Sequence, residues 1–262
     1  MQQFHLAVAT RCFVEPLLLS LKSAADLNVQ GVQFDIRNEV RSAELTETGR
    51  RDLLHQLSEH GLKVASTTFP LNHPLYEQDR IDVRVAAIRE AMKFAYLLKA
   101  PTLCIRVGRI PSEEQVKDRA LLIEVLSDLA RHANHVGTVI AVTPTNDTAD
   151  QLRSLIEQIK TGPIGIDFDP AHFAMTGRSV SESLRALHNL VMHVQLRDGV
   201  HGIDGGQEET VGHGNVDWAE VLALLGEMDY RGWMTAIRNQ GDDRPTDLVR
   251  ALKYVRKMLL GG

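Results

Sequence analysis

What this 262-residue sequence lacks narrows its chemistry first. It has two cysteines, Cys12 and Cys104, far apart and without a C-x-x-C pair. Cysteine-cluster zinc sites and thioredoxin-like redox chemistry are therefore disfavoured, and Cys104, inside an apolar run, reads as a reduced core thiol. No run approaches the ~18 apolar residues of a membrane span. No basic region followed by an apolar stretch opens the chain at Met1-Gln2-Gln3-Phe4-His5, so the expected setting is cytoplasmic, with no membrane partner. A net charge of −5 offers no basic face for nucleic acid. No G-x-G-x-x-G follows the first predicted strand and no G-K-[ST] occurs, which removes the common nucleotide-binding loops. A G-x-S-x-G elbow for serine hydrolysis is also missing. Every lysine falls in or near a predicted helix or at a strand start, which leaves no convincing Schiff-base candidate.

What is present is an alternation of short apolar runs with helix-period segments. The predicted strands are Phe4–Ala9, Gly31–Asp35, Leu62–Thr67, Thr102–Arg106, Thr138–Val142, Ile164–Phe168, Val191–Leu196 and Trp233–Ile237. Several are almost wholly apolar, as expected of parallel strands covered on both faces. Predicted helices cover Pro16–Asn28, Asp82–Leu98, a segment running from an N-cap at Ser112 to about Val136, Asp147–Ile159, Ser181–His188, Val216–Met228 and Thr246–Leu259. This βα repetition predicts a parallel sheet. Eight units and a length near that of a typical (β/α)8 barrel favour closure into a single TIM barrel, an α/β fold; an open doubly wound sheet is the alternative. No Pro/Gly/Ser-rich linker divides the chain, so residues 1–262 are read as one domain.

In such a barrel the chemistry sits at the C-terminal ends of the strands. The polar residues there include Asp35, Arg106, Thr143 with Asn146, Asp169 with His172, Gln195 with Arg197, and Arg238 with Asn239. Strand alternation turns Asp167 and Asp169 to the same side, into the barrel, and sets His193 one layer below Gln195. Asp167 and His193 are therefore expected to pair in the interior, because a buried charge is seldom left alone. The glycine-rich loop Arg197–Val211 is long enough to act as a lid.

Four segments resemble the xylose-isomerase-like barrel superfamily, which contains sugar and sugar-phosphate isomerases and epimerases. Ile164-Gly165-Ile166-Asp167-Phe168-Asp169-Pro170-Ala171-His172 resembles its G-x-x-x-D-x-x-H on strand six. His193-Val194-Gln195-Leu196-Arg197-Asp198 resembles H-V-H-x-K-D on strand seven. Gly212-His213-Gly214-Asn215-Val216-Asp217-Trp218 resembles G-x-G-x-V-D-W, and Tyr230-Arg231-Gly232-Trp233 through Ile237 resembles Y-x-G-x-x-x-x-E on strand eight.

The resemblance implies a divalent cation held by Glu, Asp, His and Glu from strands five to eight. The matching positions here are Thr143, Asp169, Gln195 and Ile237. Only Asp169 is a ligand-type residue, and a one-residue slip on strand eight would substitute Arg238. The expectation is therefore no metal and no cofactor, since manganese, magnesium or zinc would find only weak oxygen donors. By the same resemblance Asp169 and His172 are the catalytic candidates. Arg106, Gln195, Arg197, Asp35, Thr143 and Asn146 are the substrate-binding candidates, with an arginine supplying the charge that the ion supplies in relatives. The implied activity is isomerisation or epimerisation of a small carbohydrate, sugar acid or sugar phosphate by proton transfer next to a carbonyl. The alternative is a non-catalytic sugar- or metabolite-binding paralogue. Relatives are often dimers or tetramers, so a homo-oligomer is expected. DNA cleavage, known in another branch with this barrel, needs a His/Glu metal cluster and a basic groove that this sequence does not offer.

Overall fold

The computed structural model describes residues 4–202 and 205–260. Eight parallel strands close into a barrel: β1 (His5–Ala9), β2 (Gly31–Asp35), β3 (Lys63–Thr68), β4 (Thr102–Ile105), β5 (Val139–Val142), β6 (Ile164–Phe168), β7 (Val191–Leu196) and β10 (Trp233–Ala236). β10 pairs with both β7 and β1, which leaves no open edge. The doubly wound alternative is thereby set aside. Every predicted strand lies within a residue or so of an observed one, because inward and outward faces are both buried and the strands read as continuous apolar runs.

The surrounding helices are α1 (Leu17–Asp26), α2 (Glu47–Glu59), α3 (Ile81–Leu97), α4 (Val116–Val136), α5 (Ala149–Glu157), α6 (Pro170–Met175), α7 (Val180–Leu187), α8 (Trp218–Glu227) and α9 (Arg244–Leu260). None among the described residues is long and apolar enough to cross a membrane. Sequence periodicity passes over α2, which buries only Leu53 and Leu57 on an otherwise polar surface. Its one local signal is Thr46, whose hydroxyl caps the helix by accepting from Gly49 N at 3.1 Å. Helix α4 starts at Val116, not beside Ser112, because Gln115 holds Ser112 N in the preceding turn. The Arg197–Val211 segment is not a plain loop. It carries an antiparallel hairpin, β8 (Asp198–Val200) with β9 (Gln207–Glu209), while Ile203 and Asp204 lie outside the described residues.

One buried aspartate explains why the sequence after β7 keeps its glycines. Asp198 Oδ1 accepts from Gly199 N and Val216 N, and Oδ2 accepts from Gly212 N and Trp218 Nε1. A carboxylate with four donors locks the hairpin onto the start of α8. Gly214 passes so close that a Cβ there would sit 2.1 Å from Asp198 Oδ1, and Gly212 has φ +89°.

Candidate functional site at the barrel mouth

At the C-terminal end of the barrel a cavity of about 480 Å³ opens. That is ample for a small carbohydrate. Its wall includes Asp35, Arg106, Thr143, Asp169, His172, Gln195 and Arg197, so seven of the eight residues singled out from sequence converge. Asn146 does not: it is exposed on the loop after β5 and does not line the cavity. That loop turns inward at Asp147, whose carboxylate accepts from Ile110 N at 2.7 Å and Thr145 N at 3.0 Å. Arg11, in the turn after β1, and Asn239 and Gln240, after β10, also line the cavity. Arg11 lies two residues past the end of β1, so the strand-end rule that found Arg106 reaches it too.

The floor is a closed polar network around Asp167. His193 Nδ1 lies 2.7 Å from Asp167 Oδ1, as strand alternation leads one to expect. Thr143 Oγ1 and Gln195 Nε2 both donate to Asp167 Oδ2, at 2.6 and 2.5 Å. The far nitrogen of His193 sits 2.7 Å from Thr235 Oγ1 and 3.1 Å from Ser66 Oγ. Burial pushes the Asp167 carboxyl up, but the His193 imidazole and the hydrogen bonds from His193, Thr143 and Gln195 outweigh it and hold the group below the usual carboxylate range. Cys104 stands nearby, its thiol pushed well up by burial and by the Asp167 charge. Cys104, Asp167 and His193 bring ligand-type atoms within 4.8 Å of one another, but the carboxylate among them already accepts three hydrogen bonds. Cys12 and Cys104 are both buried free thiols.

The mouth is built differently. Asp169, just past β6, is fully buried, and its Oδ2 accepts from Arg197 Nη1. Arg106 Nη2 lies 4.0 Å from the same oxygen. Arg197 turns its Nε to Glu208 Oε1 at 2.7 Å, so one guanidinium bridges two buried carboxylates. Burial works against the charge of Arg197, and the Asp169 and Glu208 carboxylates more than offset it. Asp169 Oδ1 is buried and has no hydrogen-bond partner among the described residues, an unmet acceptor on the cavity wall.

His172 lies in α6 on the same wall and is 5% exposed. Its Nε2 is 3.3 Å from the Asp147 carbonyl, which can only accept, so Nε2 carries the hydrogen and Nδ1 the lone pair. Burial lowers its pKa below the ordinary histidine value, against the opposing pull of Asp169 and the Asp147 carbonyl. Burial thus favours the neutral imidazole, and the Asp147 carbonyl favours the hydrogen on Nε2. Ile237 is buried at the end of β10 and contributes only hydrocarbon. Sequence reasoning missed Glu208, which reaches Arg197 from behind the mouth on a hairpin whose turn no periodicity encodes.

The geometry agrees with three comparisons. The family model of the xylose isomerase-like TIM barrel matches residues 21–258. The xylose isomerase domain protein from Planctomyces limnophilus superposes with a TM-score of 0.84 at 24% identity, covering 98% of this chain and 96% of that one. A D-tagatose 3-epimerase-like protein superposes with a TM-score of 0.81 at 20% identity, covering 98% and 97%. Inosose dehydratase of Clostridium tetani is 24% identical over 171 residues, 56% of this chain and 55% of the relative, so the chain spans about half that relative's length.

Proposed function

Because the chain belongs to the xylose isomerase-like TIM barrel family, we propose that its mouth binds a small polyhydroxylated carbohydrate or sugar acid and moves a proton next to its carbonyl without a metal at Asp169. The observation that carries this reading is the pairing, on one cavity wall, of a neutral His172 with the unmet Asp169 Oδ1.

The donor set around Asp169 does not suit a divalent ion. Thr143 and Gln195 turn toward Asp167, Ile237 has no donor atom, and Arg197 and Arg106 bring positive charge to the carboxylate itself. A hard cation seeks several carboxylate or water oxygens, and here two guanidinium groups already face the only carboxylate of the set. The Arg197 guanidinium stands in for the ion: it is permanently charged, buried and fixed at both ends.

In this reading Asp169 Oδ1 accepts a substrate hydroxyl and orients the sugar. His172 Nδ1 takes the proton from the carbon beside the carbonyl, and the C–H electron pair moves into an enediolate. The enediolate oxygen faces Arg106 and Arg197, which stabilise the developing charge. Return of the proton from the His172 imidazolium to the neighbouring carbon, with the hydroxyl proton passing to the former carbonyl oxygen, isomerises the sugar; epimerisation needs a proton donor on the opposite face, a role that His172 alone does not fill. Gln195 is less suited to be an oxyanion donor than its position at the strand end suggests, because its amide nitrogen serves Asp167.

The test is proton NMR of a ketose and aldose panel in deuterated buffer. Deuterium incorporation next to the carbonyl, lost in His172→Gln, is the expected result, and no incorporation across the panel removes the catalytic reading. A second reading, binding without turnover, draws on the state of the cavity's carboxylates: Asp167 is committed to His193, Thr143 and Gln195, and Asp169 faces two guanidinium groups, so neither is placed as a free base. Thermal stabilisation by the same sugars without exchange would favour it.

A further inference from the structure

We infer that Glu208 fills the anion subsite of this mouth with a carboxylate of the chain's own, and so restricts the site to unphosphorylated ligands. The inference rests on the carbohydrate reading above and narrows it. In barrels of this kind a phosphate group commonly sits among the loops after the last two strands. Here those loops form an anion nest. Gln240 N donates to Glu208 Oε2 at 2.7 Å and Asn239 N donates to it at 3.0 Å. Arg197 Nε donates to Oε1 at 2.7 Å. Arg238 Nη1 stands 3.8 Å from Oε2, buried and without a hydrogen-bond partner among the described residues. Two consecutive backbone N–H groups and two guanidinium groups therefore converge on one point, and they offer more donors than the carboxylate uses.

The occupant is built in. Glu208 rides on β9, and its side chain is 2% exposed. Asn239, Gln240 and Arg197 line the cavity, whereas Glu208 lies behind them. A ligand phosphate reaching those donors would have to displace Glu208. That would move a buried charge away from Arg197 and place like charges side by side, which costs more than the new contacts return. A neutral hydroxyl faces no such conflict. Glu208 is thus a specificity-determining residue: it supplies the negative charge that balances Arg197 and leaves no room for a second.

The experiment compares wild-type protein and Glu208→Ala by thermal shift and calorimetry, with inorganic phosphate, a ketohexose and that sugar's terminal phosphate ester. Wild type should respond to the free sugar and gain nothing from its ester. Glu208→Ala should bind inorganic phosphate about tenfold or more tightly than wild type, because charge-assisted donors are set free. Tighter binding of the ester than of the free sugar by wild type overturns the inference and leaves the carbohydrate reading intact. So does a Glu208→Ala protein with no gain for phosphate. If wild type takes neither form of the sugar, the carbohydrate reading falls, and the phosphate response of the variant still decides the subsite. Should the alanine variant be too unstable to purify, Glu208→Ser serves in its place. Its unfolding midpoint should then rise in phosphate relative to chloride at equal ionic strength, and an unchanged midpoint counts against the subsite.

Discussion

Asp167 and Asp169 lie two residues apart, both fully buried, and meet opposite surroundings. Asp167, on the floor, receives a histidine, a threonine and a glutamine, and both its oxygens are served. Asp169, at the mouth, receives a guanidinium on one oxygen and nothing on the other. A buried carboxylate with every lone pair answered fixes a structure; one left half-answered on a cavity wall is, in the reading proposed above, the one that meets the ligand. The difference teaches that two like side chains on one strand face divide between scaffold and site according to their donors, not their type.

Substitutions that blur this contrast should act in a definite order. Arg197→Met has the largest expected effect: it leaves Asp169 and Glu208 buried without their cation, and urea unfolding should show a loss of about 3–5 kcal/mol. His172→Gln comes next. It removes the only neutral base on the wall, so deuterium exchange should fall about 10²-fold or more while stability changes little. Asp167→Asn withdraws the acceptor that organises His193, Thr143 and Gln195, and should cost about 1–3 kcal/mol in the same unfolding assay.

The acid limb of stability gives a subtler contrast. Because the folded Asp167 carboxyl is held below its ordinary value, its contribution is complete above about pH 4 and is lost as pH falls through the lower folded value. Asp167→Asn should therefore flatten the acid limb. His172 adds a term of the same slope higher up, since its folded pKa is lowered: below about pH 6.5 the unfolded chain binds the proton first. His172→Gln should remove that part of the decline. The smallest effect is expected from Asn146→Ala, exposed and outside the cavity, which should leave sugar-induced thermal shifts unchanged.

The parts legible in the sequence are those that a period fixes. Alternation turned Asp167 and His193 inward together, and the apolar runs marked all eight barrel strands. The strand-end rule brought Asp35, Arg106, Asp169 and Gln195 to one cavity. Loops obey no period, so Asn146 swung out while Asp147 turned in. The longest side chains were least legible: Arg197 was expected near the ligand, but its grip on Asp169 and Glu208 depends on a hairpin whose register only the folded chain displays. At Thr143, Gln195 and Ile237 the sequence departs from the ligand pattern that the resemblance implies. The Arg197 guanidinium against Asp169, and the Glu208 carboxylate on its other side, required the fold.

The central claim, that an arginine holds the place of a metal at Asp169, is tested most directly by calorimetric titration of manganese into chelator-treated wild type and Asp169→Asn. The expected result is no stoichiometric site in wild type and no difference between the two proteins. One manganese per chain bound at micromolar affinity, and lost in Asp169→Asn, would contradict it.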